Sequence, residues 1–216
     1  MKRKMISDNA GFSLVELIIV IAIMAVLAAA IAPAIIRYIV KARKAVDIAN
    51  AEAIGSSLNA AITADEELYD YVSAGAKECD PRVPSKKYRI LGYSSVSTTN
   101  NGRKYNYSFH TPRNLVGTVT TQGAVDKFTE LMTKEVGMEL VKLHFGDFTI
   151  LDQWCVCCDE EGNLCVFVTS GLNGWQYFVH ENRTVSGNGG TRNAYMLWPS
   201  VDERYNELNS VSAALP

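Results

Sequence analysis

The hydrophobic positions of this chain change period as it proceeds. From Leu17 to Ile36 they form a run of 20 residues without a charge, which as an α-helix rising 1.5 Å per residue covers about 30 Å, the thickness of a bilayer's hydrocarbon core. Past Ile36 the run thins to a stripe. Ile48, Ala51, Gly55, Leu58 and Ile62 recur at three- and four-residue spacing, the pattern of a helix that lays one face on a soluble core. Together these patterns predict one long N-terminal helix over residues 12–72, membrane-spanning at about 12–36 and amphipathic beyond.

The remainder, 73–216, reads as a separate head. Residues 73–112 are rich in breakers, including Asp80-Pro81, Val83-Pro84-Ser85 and Asn100-Asn101-Gly102, and predict connecting segments with short strands near 88–93 and 104–109. Val125, Phe128, Leu131, Met132, Val136, Leu140 and Leu143 then follow helical spacing over 124–145, with Gly137 a weak point. Strands follow over 148–157, 164–169 and 175–179, the first two joined by a turn at 159–163, and a short helix closes at 201–208. Helices and an antiparallel sheet in separate runs make the predicted class α+β. No solenoid repeat or low-complexity run is present.

Composition fits a globular domain with an added apolar segment, at 48% hydrophobic and 20% charged residues. The basic start Lys2, Arg3, Lys4 resembles that of a secretory signal, but the order is reversed: the small residue, Gly11, precedes the apolar run instead of following it. Cutting after Gly11 would remove a basic leader, 1–11, and leave the hydrophobic helix attached. Basic residues also follow the run, at Arg37, Lys41, Arg43 and Lys44. Charge alone therefore does not set the orientation, and the long, five-cysteine downstream region places the N-terminus inside. At the exit from the run these cations would meet lipid headgroups or acids such as Asp47. The small residues Ala22, Ala25, Ala28, Ala29, Ala30, Ala32 and Ala34 let helices approach closely where lipid supplies no hydrophobic drive. Pro33 removes a backbone donor and predicts a kink or melted turn around 29–33.

One acid, Glu16, stands at the head of this run. A carboxylate near a membrane-helix centre costs roughly 2.5–3.5 kcal/mol, less near the edge. An interfacial position would accommodate it, and so would a cationic partner, such as the amine on Phe12 that cleavage after Gly11 creates. Gly11, Phe12, Ser13, Leu14, Val15, Glu16 and the apolar helix after them resemble the class III signal of type IV pilins and pseudopilins. That resemblance covers about the first quarter of the chain. It implies that a prepilin peptidase cuts after Gly11 and methylates the Phe12 amine, that Glu16 acts in subunit recruitment and register, and that Pro33 is the helix-kinking proline. It also implies partners: other pilin subunits in a helical homopolymer, a membrane platform protein, an assembly ATPase, and lipid before assembly. The implied product is an extracellular filament on the cell surface for adhesion, motility or surface interaction. A pseudopilin of a type II secretion or DNA-uptake system shares these features. A single-span extracellular enzyme or binding module with a similar leader is the rival of a different class.

Other candidate chemistry is weaker. Cys79, Cys155, Cys157, Cys158 and Cys165 gather around the predicted hairpin, where Cys157 would oppose Cys165 on one face, a pairing that permits a disulfide in an oxidising compartment. Buried thiols are the other main reading. A metal site would need His144 beside a C-x-C-C run that is not the usual C-x-x-C knuckle. No metal or cofactor is therefore expected. His110, His144 and His180 show no local signature of a base beside a nucleophile. Gly187-Asn188-Gly189-Gly190 lacks the Lys-Ser/Thr of a phosphate loop and predicts a plain loop. The formal charge of −2 falls to −4 once the leader leaves, since it carries three Lys/Arg and one Asp. That balance gives no indication of nucleic acid as a partner, although Arg82, Lys86, Lys87 and Arg89 form a local basic run.

Overall fold

The computed structural model describes residues 13–98, 105–111, 122–135, 151, 153–169, 172, 177–187 and 190–208. Gly11, Phe12, His144 and the helical positions predicted beyond residue 135 lie outside them. The chain divides into two compact units, Met1–Lys41 and Ala42–Pro216.

The first unit is helix α1 (Leu14–Ala64) as far as Lys41. Its apolar side chains are exposed, from Leu14 at 72% to Ile36 at 38%, and the helix is long and apolar enough to cross a membrane. Its α-helical course continues through 29–33 with Pro33 inside. The melted turn expected there is absent, because the proline removes one donor while the flanking residues, mostly alanine, keep strong helix propensity.

The second unit begins with the rest of α1. Its buried positions Lys44, Asp47, Ala51, Ile54, Gly55, Leu58 and Ile62 include four of the expected stripe, with Ile48 half-buried, and extend it upstream by two charged residues. The helix expected to reach residue 72 ends at Ala64. Asp65 adopts extended angles, and its carboxylate accepts the amides of Glu67 and Leu68, capping a new helix α2 (Glu66–Ala76). A short acidic side chain that satisfies orphan amides favours a helix start over continuation.

After a 3-10 turn at Pro84–Lys86 come β1 (Tyr88–Thr98), β2 (Tyr105–His110), helix α3 (Gln122–Glu135), β3 (Gln153–Cys158), β4 (Leu164–Thr169), β5 (Phe178–Val179), β6 (Thr184–Gly187), β7 (Gly190–Asn193), β8 (Tyr195–Trp198) and helix α4 (Glu203–Glu207). The main sheet runs β2-β1-β3-β4-β8, with β5 pairing the start of β1. Its pairs are antiparallel. The class is α+β, as expected. In the β3–β4 turn, Asp159 accepts the amides of Glu161 and Asn163 while Gly162 takes φ +85°, a conformation open mainly to glycine. Strands β6 and β7 pair antiparallel, with Gly187 opposite Gly190.

Alternation along β3 and β4 divides the core between the two faces of the sheet. Cys155, Cys157, Cys165 and Phe167 join Ile90, Val179, Val185 and Met196 on one face. Cys158 lies on the other, its thiol directed at the Val72 carbonyl of α2. On that helical side the Tyr71 hydroxyl donates to the Leu91 carbonyl, and its ring meets Phe128 of α3 at 4.9 Å. Gly55 of α1 lies against the Trp198 indole.

Candidate functional site

The site indicated by the sequence begins at the start of α1. Ser13 precedes the helix, and its carbonyl accepts the Leu17 amide at 3.2 Å. The Glu16 carboxylate turns back to accept the Ser13 amide at 2.9 Å. This is one half of a capping box: an acid three residues past the cap satisfies a donor that the helix cannot. The S-x-x-E spacing that signals it is legible in Ser13 to Glu16. Beyond it, every side chain from Ser13 to Ile39 is exposed, so α1 in this unit presents a continuous apolar surface. Such a surface requires lipid or other helices around it. Glu16 thus sits in the first turn of an apolar helix, its carboxylate held by the Ser13 amide.

The cations expected around the exit of the apolar run have different fates. Arg37, Lys41 and Arg43 are exposed. Lys44 is instead buried in the head, where its ammonium donates to the carbonyls of Asn206 and Leu208 at 2.7 and 2.5 Å and lies over the Tyr205 ring. The Tyr205 hydroxyl donates to the buried Asp47 carboxylate at 3.1 Å. Burial pushes the Lys44 ammonium below its ordinary value, and burial with the Asp47 charge raises the Tyr205 phenol. Lys44 and Asp47 therefore hold α4 and are not available to lipid or to a neighbouring subunit.

The basic run at 82–89 is also dispersed. Arg82 pairs with Asp80 at 3.1 Å, Lys87 lies 3.9 Å from Glu160, and Arg89 is buried against Glu78 at 2.6 Å. Arg89 also donates to the Tyr177 carbonyl and lies over the Phe178 ring. Lys87 and Arg89 are thus turned to carboxylates, while Arg82 and Lys86 line an open cleft with Lys77, Glu78 and Asp80.

All five cysteines are free thiols. Cys158 opposes Leu164 and Cys157 opposes Cys165 in the expected register, while the Cys157 sulfur makes its contact with Cys155 at 3.4 Å. Burial pushes the Cys157 thiol well up and the Cys165 thiol to about 12. Cys79 and Cys158 form a second group on the helical side, which sequence spacing did not suggest. His110 stacks near Tyr93, and His180 lies by Thr184, where burial lowers its imidazole. Among the described residues, no three His, Cys, Asp or Glu side chains are grouped to hold a metal ion.

A family model for the prokaryotic N-terminal methylation motif matches residues 6–32. That motif is the class III signal peptide of type IV pilins, and with the apolar helix it points to membrane anchoring as a prepilin. No curated protein and no solved structure matches the chain.

Proposed function

We propose that this chain, whose N-terminus is that of a type IV pilin-like prepilin, is the structural subunit of a type IV pilus filament. It is held in the membrane, cleaved after Gly11 by a prepilin peptidase, methylated at the Phe12 amine, and polymerised through α1. The head, 73–216, is carried to the cell surface. A platform protein and an ATPase of the pilus machine drive assembly, and the work is polymerisation and not turnover.

The observation that carries this reading is the coincidence of the matched motif, 6–32, with an apolar helix surface uncovered from Leu14 onward. Homologous helices can cover that surface, and its alanines let them approach closely. Glu16 then meets the Phe12 amine. In a crowded, dry filament core, removing one partner of such a pair leaves the other uncompensated at roughly 3–5 kcal/mol. Pro33, which leaves the Ala29 carbonyl without its usual donor, is the point at which the helix would bend on packing.

The test compares wild type with Glu16→Val and Glu16→Asp for membrane pool, N-terminal mass and sheared surface filaments. All three forms should mature to a methylated Phe12. The valine form should make no filaments alone, and the aspartate form should make fewer than wild type. Abundant valine filaments would reduce Glu16 to an interfacial residue. A mature end other than Phe12 would favour the single-span enzyme or binding module, and normal maturation without long wild-type filaments would favour a pseudopilin.

A further inference from the structure

We infer that Cys79 and Cys158 form a disulfide in the exported protein, tying the exit of α2 to the end of β3. Both sulfurs bracket the last turn of α2. The Cys79 sulfur lies 3.6 Å from the Cys158 carbonyl oxygen and 4.0 Å from that of Gly75. The Cys158 sulfur lies 3.8 Å from the Val72 carbonyl, and a Cβ at Gly75 would come within 3.2 Å of it. Glycine at 75 is what lets the two chain segments approach this closely, since the same Cβ would also stand 2.8 Å from Leu91.

Access and reactivity divide between the two thiols as an exchange reaction requires. Cys79 is half-buried and opens on a cleft of about 670 Å³ lined by Lys77, Glu78, Asp80, Arg82, Lys86 and Phe178. Three cations against two carboxylates suit an anionic disulfide as oxidant. The neighbouring Cys158 thiol, with the Arg89 amide and charge, holds the Cys79 thiol below its ordinary value, while the proximity of Cys79 and burial push Cys158 well up. The lower, more exposed thiol is the better first nucleophile. The other three cysteines have no such route. Cys155 and Cys157 are fully buried and Cys165 is 4% exposed. Cys155 and Cys157, two apart on one strand, are also separated by about 6.6 Å along the backbone, near the limit for a bridge.

The chemistry balances with a small-molecule or protein disulfide as oxidant. The Cys79 thiolate attacks one oxidant sulfur, an S–S bond forms to Cys79, and one oxidant thiolate leaves. Cys158 then loses its proton and attacks the Cys79 sulfur, expelling the second oxidant thiolate. Two protein thiols are oxidised, one disulfide is reduced to two thiols, and the protons pass to the leaving thiolates. The physiological setting rests on the exported-head reading, because cytosolic thiols stay reduced.

The experiment uses the purified full chain in detergent, first reduced and then exposed to oxidised glutathione, quenched by alkylation and mapped without reduction. It reports on the cysteines whether or not the chain makes filaments. The expected product joins the Cys79 and Cys158 peptides, with the other three cysteines alkylated only after unfolding and the melting temperature raised by roughly 10 °C for a loop this long. Cys158→Ala should trap glutathione on Cys79, and Cys79→Ser should abolish the link. Recovering Cys79 as a free thiol, a lasting glutathione adduct with Cys158 present, or a Cys157–Cys165 link in its place would overturn the assignment.

Discussion

Replacing Gly55 by alanine sets two opposed effects against each other on one helix. In an exposed helix interior the substitution stabilises by about 1 kcal/mol, because glycine gives up more backbone freedom on folding. At this position the added methyl would lie 2.4, 2.5 and 2.8 Å from three ring carbons of Trp198, whereas carbons in contact normally stand 3.5–4.0 Å apart. A shift of more than 1 Å is needed, and what must move is a rigid indole on a strand paired with β4. Overpacking of this kind costs about 1–3 kcal/mol, so Gly55→Ala should lower stability by about 1 kcal/mol net. The assay is urea unfolding of the detergent-extracted chain, followed through tryptophan fluorescence. With Trp198→Leu as background the clash is relieved, and the same substitution should then stabilise, giving a coupling of about 2 kcal/mol between the two sites. A rise in the wild-type midpoint on Gly55→Ala would show that the indole yields freely and that α1 and β8 are not closely fitted.

Two further outcomes follow from the head. Lys44→Met keeps the apolar stem but removes the donor to the Asn206 and Leu208 carbonyls, and should cost about 1–3 kcal/mol in the same unfolding assay; no change in midpoint would mean water replaces the ammonium without loss. The Lys127 hydrogen bond and charge, with the capped amides, hold the Asp65 carboxyl below the ordinary carboxylate value. A carboxyl depressed in the folded state contributes stability that is present above its unfolded value, near 3.9, and is lost as pH falls through the folded value. Asp65→Asn should therefore lower stability at pH 7 and flatten the acid limb of a stability-versus-pH curve, the two forms converging below about pH 4, and an unaltered acid limb would count against the contact.

What the sequence made legible was whatever depends on local period. The apolar run, the stripe at Ala51, Leu58 and Ile62, the short apolar strand at Leu164–Thr169 and the Asp159–Asn163 turn each need only a few neighbouring residues. The break at Asp65 was also written locally, as an acid followed by two glutamates. It was masked because the residues on both sides favour a helix, so that one continuous element was expected. Strand β8 was hidden for another reason: four residues carry too little alternation to stand out, and pairing with β4 makes them a strand. The expected Cys157–Cys165 opposition followed from turn length alone, but the Cys79–Cys158 approach depends on α2 folding back over β3, and nothing within a few residues of Cys79 reports that. Lys44 and Asp47 were read as surface charges because charged side chains usually are, and only their partners in α4 make their burial tolerable.

Those partners have a bearing on the order of events as the chain is made. Asp47 bonds a residue 158 positions later, and Lys44 bonds carbonyls 162 and 164 positions later. During synthesis the middle of the first helix is complete long before α4 exists. In that interval both charges remain hydrated, and they keep the adjoining apolar stripe from being dry on all sides. Closing a loop of that length unaided has a large entropic cost, but once β8 has paired with β4 only a handful of residues separate the sheet from Tyr205, and the remaining closure is short. Desolvation of the lysine and aspartate is thus timed by sheet completion. A chain stalled or cut before Tyr205 would display a wetted, unclasped helix, a surface by which an unfinished subunit differs from a finished one before either meets a neighbour.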